Sequence, residues 1–259
     1  MRKFTLGSRF YYSRLTESEQ KTYRKIYDSW IDGGSVAEFT MAGKDFALPT
    51  GLQLDTLVHY IIQDNPQLFH LEKTHFKYER NGDHITIITA SVYTQSQYEQ
   101  IYSRLITKVD AIVAKANQYK TDYEKLRFLH DYLVKSVTYK LDNSSVRANR
   151  ETHTIVGPLL NGSCVCDGYA RAFRLLCDQL KLSCIVVSGD GFPGRDTKKT
   201  ERHAWNFVRL NGRVYHVDVT WDSNCFRDKL PFYDYYFLRN DRIFAKEHRW
   251  DPKLFPPIE

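Results

Sequence analysis

Three side chains able to serve as nucleophile, base and orienting carboxylate follow one another along the second half of the sequence. Cys166 stands in Gly162-Ser163-Cys164-Val165-Cys166-Asp167-Gly168-Tyr169-Ala170, and Phe173, Leu175, Leu176 and Leu180 follow at helical spacing. The cysteine therefore falls where a loop turns into a helix, and the unpaired N–H groups and positive dipole end of a first turn favour thiolate over thiol. An isolated free cysteine is more often a small core residue, so the residues downstream carry the argument. His203 lies 37 residues on, in Arg202-His203-Ala204-Trp205-Asn206-Phe207-Val208, and Asp218 a further 15, in Val214-Tyr215-His216-Val217-Asp218-Val219-Thr220-Trp221-Asp222. Between these runs sits Asn211-Gly212, a hairpin-turn pair. A two-residue turn there sets position 203 opposite 220 on neighbouring antiparallel strands. Asp218 is then one diagonal step from His203, within reach of a hydrogen bond.

Other residues near these three have two readings each. Cys164 shares a face with Cys166 if the segment is extended, either as a redox partner or as a packed thiol. Trp205 and Trp221 read as sheet-face packing that shields the site or as substrate platforms, His216 as structural, and Asp222 as a turn cap. Segment 189–201 is rich in turn formers and charge and directly precedes His203, so it reads as a loop able to overhang a cleft. There Arg195, Lys198 and Lys199 would favour acidic or extended polypeptide substrates, unless the loop is simply solvated. Cys177, Cys184 and Cys225 read as core or surface thiols.

The elements that must position these residues are partly written in the pattern. Thr16 before Glu17-Ser18-Glu19 is a capping signal for a helix over 16–32, with Tyr23, Ile26, Tyr27 and Trp30 on one face and Gly33-Gly34 at its end. A second helix is expected over about 51–63, and a hairpin around Asn81-Gly82 between the β-rich runs 76–80 and 84–89. Helical patterns cover roughly 95–118 and 121–136, the latter with Tyr123, Leu126, Phe128, Leu129, Tyr132 and Leu133 as its buried face. The polar stretch 142–150 reads as a loop, 184–188 as a strand, and the aromatic-rich end, through His248-Arg249-Trp250, as a final strand and packed tail. Two regions result: 1–118, helical with a hairpin, and 119–259, which holds the chemistry.

Composition bounds the answer without choosing it. With 259 residues, 42% hydrophobic and 14% aromatic, the chain can bury a full core. No apolar run approaches the roughly 20 residues a membrane span needs, and no apolar stretch follows the basic start Met1-Arg2-Lys3, so a cytoplasmic location is expected unless a leader is missing. Five cysteines without a CxxC pair indicate neither a disulfide framework nor a zinc site, and no metal or other cofactor is expected. The net charge of +6 comes with no RNP-like motif, finger or basic helix, so the expected partner is a protein or peptide substrate rather than nucleic acid. Nothing in the pattern sets an oligomeric state.

The three motifs, in this order, resemble those of the transglutaminase-like superfamily. Residues 162–170 are similar to its nucleophile motif, His203-Ala204-Trp205-Asn206 to its histidine motif, and 217–222 to its aspartate motif. The resemblance covers about 120–259; the first hundred residues are only loosely similar to the N-terminal regions of bacterial members. It implies an α+β, papain-like core in which a nucleophile helix packs on an antiparallel sheet. It also implies a Cys166–His203–Asp218 triad forming a thioester acyl-enzyme at a carboxamide or peptide carbonyl. Transamidation, deamidation and amide hydrolysis share that triad. Ordinary proteolysis is one alternative, and a binding module that keeps the fold is another, although such modules commonly lose a triad member and all three are present here. The sequence departs from animal transglutaminases in having no tryptophan between Trp30 and Trp205 to serve the oxyanion hole, and it shows no acidic calcium cluster. The Cys166 backbone N–H can supply one oxyanion donor. His153 or Thr154 is a candidate for the second.

Overall fold

Capping chemistry opens the first helix where the sequence places it. The computed structural model describes residues 3–5, 7, 9–41, 46–47, 54–195, 199–231 and 233–255. Thr16 Oγ1 accepts from Glu19 N at 3.4 Å and Glu19 Oε2 takes the Thr16 N–H at 2.7 Å, a reciprocal box at the start of α1 (Glu17–Trp30). Tyr23, Ile26, Tyr27 and Trp30 are buried along one face. Strand β1 (Val36–Thr40) follows, then α2 (Leu54–Asp64), β2 (Leu71–Asn81) and β3 (His84–Ser91). The expected helix over 51–63 thus runs to 64, and its first three positions lie outside the described residues. Asn81 pairs with His84, so Gly82-Asp83 rather than Asn81-Gly82 forms the turn, with Gly82 at φ +60°. These strands form an antiparallel sheet in the order β1-β3-β2, whose core with α1 and α2 includes Leu57, Ile61, Ile85 and Ile87. This first compact unit covers Arg9–Ser103.

The second unit comprises Met1–Ser8 and Arg104–Glu259, the division falling inside α3 (Gln95–Ala116). A Thr121/Glu124 capping box opens α4 (Asp122–Ser136). Its buried residues are Leu126, Leu129, His130, Leu133 and Val134, while Tyr123 is 48% exposed and Phe128 and Tyr132 are half-buried. The expected face is therefore corrected. Apolar residues cover too much of this helix to choose a side, and packing of α4 against later helices decides it. Strand β4 (Thr138–Tyr139) comes next, and the expected loop 142–150 contains α5 (Val146–Thr152), started by Ser145 Oγ accepting from Ala148 N at 3.0 Å. Polar composition hid this helix because Arg150, Glu151 and Thr152, its buried residues, are not apolar.

Strand β5 (Ser163–Cys164) pairs in parallel with β4 and leads into α6 (Cys166–Gln179). The main sheet follows: β6 (Cys184–Gly191), β7 (Glu201–Leu210) and β8 (Arg213–Val217), then α7 (Val219–Arg227), β9 (Phe237–Arg239), α8 (Asp241–Phe244) and β10 (His248–Arg249). All its pairs are antiparallel, in the order β10-β6-β7-β8-β9. Strand β6 runs three residues past the expected 188, because β7 pairs with Gly189–Gly191 on one side and β10 with Asp190 and Gly191 on the other. Glycine is required there: a Cβ on Gly189 would lie 2.0 Å from the Arg249 carbonyl oxygen. The Asn211-Gly212 turn forms as expected, with φ +50° and +81°. The chain is thus α+β, and among the described residues no helix is long and apolar enough to cross a membrane.

Helix α6 is held on this sheet by small residues and one amide. Ala170, Val186 and Ala204 meet at the interface with Cys166 against them, and buried Asn206 on β7 donates from Nδ2 to Ala170 O on α6 (2.9 Å) and Ile185 O on β6 (3.2 Å). Asn206→Leu keeps the branched shape and removes both donations, with an expected loss of about 1–3 kcal/mol. Urea unfolding checks this through a lower midpoint at unchanged slope; an unchanged midpoint would show that the amide is not what seats the helix.

Candidate active site

Cys166 is the first residue of α6, and backbone bonds fix the approach to it. Lys140 N donates to Cys164 O at 3.0 Å, and Val165 N to Thr152 O at 3.1 Å. Val165, the N-cap, has no side chain that accepts from the first turn, so those N–H groups are not consumed by a cap. A Cβ on Gly168 would lie 2.6 Å from both Cys164 Cβ and Thr152 O, so only glycine lets the turn approach this closely. Tyr169 OH donates to Val137 O at 2.8 Å and shares a hydrogen bond with Ser223 Oγ at 2.9 Å, tying α6 to the end of α4 and to α7.

His203, on β7, is 5% exposed, and its Nε2 lies 2.7 Å from Asp218 Oδ2. With Nε2–H spent on that carboxylate, Nδ1 is the ring nitrogen left to serve Cys166, which also favours the charged imidazole. Burial opposes charge on this imidazole, but the Asp218 carboxylate and then Cys166 outweigh it, and the pKa is pushed up to about 10. Asp218 is wholly buried; burial pushes its pKa up, and His203 followed by His248 overrides this and holds it well below the usual carboxylate range. The site thus favours an imidazolium beside a carboxylate on one side and a sulfur on the other.

Asp218 reaches His203 by a different route from the one its spacing suggests. The register is as expected, Asn206 opposite Val217, but β8 ends there and His203 instead faces Gly189 across β6. Asp218 is the N-cap of α7, its Oδ1 accepting from Thr220 N (3.0 Å) and Trp221 N (3.1 Å). The run 217–220, with Val217, Val219 and Thr220 β-branched, resembles a strand, yet the capping preference of aspartate ends it. Trp221 accordingly lies on a helix, with its ring 5.3 Å from that of His203 and 4.2 Å from that of His248. Trp205 is a core residue whose Nε1 donates to His216 Nδ1 at 3.1 Å, and His216 Nε2 donates to Asp241 at 2.7 Å, a structural relay.

A cavity of about 400 Å³ opens beside His203, lined among others by Tyr139, Glu201, Thr220, Trp221 and Asp228. Thr220 Oγ1 is buried there without a hydrogen-bond partner. Lys199 is exposed and is not among the described lining residues, while the side chain of Arg195 and all of Lys198 lie outside the described residues. The Thr154 hydroxyl donates to Glu151 O (3.2 Å) and accepts from Val156 N (3.3 Å), whereas half-buried His153 lies 3.3 Å from Asp167 Oδ2 at the start of α6. Asp222 is not a simple turn cap: it accepts from Tyr236 N at 3.0 Å and from His130 Nε2 at 2.9 Å, both side chains fully buried.

Two histidines escaped the sequence reading. His130 joins Asp131 to Asp222, and His248 places its Nε2 3.1 Å from Asp218 Oδ2. Asp222, one helical turn after Asp218, was the available signal for the first once 219–227 is seen as helical. No spacing rule points to the second. His203, Asp218 and His248 also form the cluster with metal-ligand geometry among the described residues, their candidate ligand atoms lying within 4.8 Å of one another. In this arrangement those atoms bind each other.

Residues 110–219, which include Cys166, His203 and Asp218, match the transglutaminase-like superfamily. That part of the chain is similar to the superfamily, and the likeness supports a general cysteine-dependent reaction. The chain is 28% identical over 151 residues to the kyphoscoliosis peptidase of Mus musculus and 30% identical over 151 residues to that of Homo sapiens. Each match spans 53% of this chain and 23% of the relative, so the chain covers less than a quarter of the length of these curated relatives. A solved TGase structure aligns with 71% of this chain and 50% of its own, at 12% identity and a TM-score of 0.39.

The charge arrangement fixes a stability window. His203 has a folded pKa above its ordinary 6.5, so its contribution is complete below 6.5 and is lost as pH rises toward about 10. Asp218 is depressed below 3.8, so its contribution is complete above 3.8 and is lost as pH falls through the lower folded value. The wild type should therefore exceed His203→Ala in stability most between 3.8 and 6.5, with the margin shrinking toward pH 10. Urea melts across this range test it, and a margin that grows with rising pH would contradict the ion pair.

Proposed function

We propose that this protein cleaves or transfers acyl groups at carboxamide or peptide carbonyls of a protein or peptide substrate through a Cys166 thioester. The observation that carries the reading is the buried His203 Nε2–Asp218 Oδ2 pair at 2.7 Å, with Cys166 among the groups that favour the charged imidazole. Cys166 thiolate attacks the carbonyl carbon, and the oxyanion is received by the Cys166 N–H at the start of α6. Of the two side-chain candidates for a second donor, the Thr154 hydroxyl is engaged within its own turn, which leaves His153. The His203 imidazolium gives its Nδ1 proton to the departing amine, and the acyl group stays on sulfur. Water activated by neutral His203 then releases the acid, while an amine in its place gives transamidation.

Hydrolysis is the branch supported by the relatives, which carry the name peptidase. Trp221 lines the cavity beside His203, with the two rings 5.3 Å apart.

Per-cysteine alkylation by iodoacetamide, read by peptide mass spectrometry against pH, comes first. Cys166 should react fast below pH 7 and lose this in His203→Ala. Cys164 and Cys177, whose pKa values burial raises, and Cys225, pushed up to about 11, should be slow throughout. Turnover of peptide libraries should leave a mass adduct on Cys166, absent in Cys166→Ala, and kcat/KM should fall on the alkaline side near the His203 value of about 10. Asp218→Asn should lower kcat by roughly 10²–10⁴. A Cys166 no faster than the other thiols would end the catalytic reading.

A further inference from the structure

His248 comes from the far edge of the sheet and still reaches the centre of the site. It lies on β10, which pairs with β6 through His248 opposite Gly191, and its side chain is fully buried. Its Nε2 is 3.1 Å from Asp218 Oδ2, the same oxygen that His203 holds at 2.7 Å, and the two imidazole rings lie 5.5 Å apart. Packing leaves the ring little freedom. Phe244 stacks on it at 3.8 Å, and the Trp221 and Trp205 rings lie at 4.2 and 5.1 Å.

The hydrogen-bond pattern sets its tautomer. A carboxylate oxygen offers no proton, so His248 must carry hydrogen on Nε2, and its Nδ1 is buried without a partner. Protonating Nδ1 would place a second buried cation beside His203. Asp218 and Glu247 favour the charged form, yet burial first and His203 thereafter keep the His248 pKa below its ordinary value; nearby His216 is itself held down to about 4. His248 is thus a fixed neutral N–H donor rather than a base.

We propose that His248 is a positioning residue of the catalytic machinery: its Nε2–H shares Asp218 Oδ2 with His203, fixing the carboxylate and moderating its pull on the catalytic proton. The proposal deepens the reading above and rests on it for its role in turnover. Two consequences follow from the chemistry. A second donor on Oδ2 withdraws charge that would otherwise stabilise the His203 imidazolium, so it keeps that proton transferable. When His203 gives its proton to the leaving amine, Asp218 remains a buried carboxylate, and the Thr220 and Trp221 N–H groups with His248 keep it solvated through the acyl-enzyme state.

Imidazole ¹H–¹⁵N NMR of the whole chain reads this without any substrate. In the wild type His248 should be a neutral Nε2–H tautomer throughout pH 7–9, while His203 is doubly protonated and titrates near 10. In His248→Leu the His203 midpoint should rise by about half a pH unit or more, the alkaline limb of kcat/KM should move with it, and kcat should fall about tenfold or more. His248→Gln, which sets an amide N–H near the Nε2 position, should restore all three. A wild-type His248 that carries its proton on Nδ1 or is charged overturns the proposal even if the leucine variant does not fold. So does a folded His248→Leu whose His203 titration matches the wild type. Failure of the enzymatic reading is distinct: it appears as a slow Cys166 in the wild type, with the two imidazole titrations still deciding the role of His248.

Discussion

Burying a carboxylate is costly, and the arrangement of the site follows from how that cost is met at Asp218. The side chain is fully buried and accepts four hydrogen bonds: two from the first turn of α7, one from His203 on β7 and one from His248 on β10. Each donor comes from a part of the fold that must already be in place. Moving the helix start, the central strand or the edge strand would leave the carboxylate short of a partner, so one residue couples three elements into a single arrangement.

Cys166 is placed by a separate set of contacts. Gly168 permits the close approach to β5, Asn206 ties α6 to the sheet, and Tyr169 and Ser223 bridge α6 and α7 near the end of α4. Sulfur and imidazole therefore sit on different elements whose relation is set by buried polar bonds as well as by apolar packing. A second buried cluster, His130 with Asp131 and Asp222, anchors α7 to α4 one turn beyond Asp218. Helix α7 is thus held at its cap by the site and along its body by the scaffold.

Charge is distributed unevenly around His203 and Asp218. His203 carries the buried positive charge, balanced by Asp218, while His248 and His216 are kept neutral by burial. Histidines in one aromatic cluster with Trp205, Trp221 and Phe244 thereby take different roles, set by which nitrogen meets a carboxylate and how close that carboxylate lies.

The sequence alone determined what depends on near neighbours: the capping box at Thr16, the Asn211-Gly212 turn with its register, Cys166 at a helix start, and the order of the three motifs. These are fixed by interactions a few residues apart, which composition and spacing record. Only the tertiary structure decided that Asp218 caps a helix instead of extending a strand, which face of α4 is inward, that 146–152 is helical, and that His248 and His130 join the buried polar network. His248 meets Asp218 across 30 residues and His130 meets Asp222 across 92. A hydrogen bond between residues so far apart leaves no periodicity in the chain, because its partners are chosen by the packing of whole elements and not by the sequence around either one.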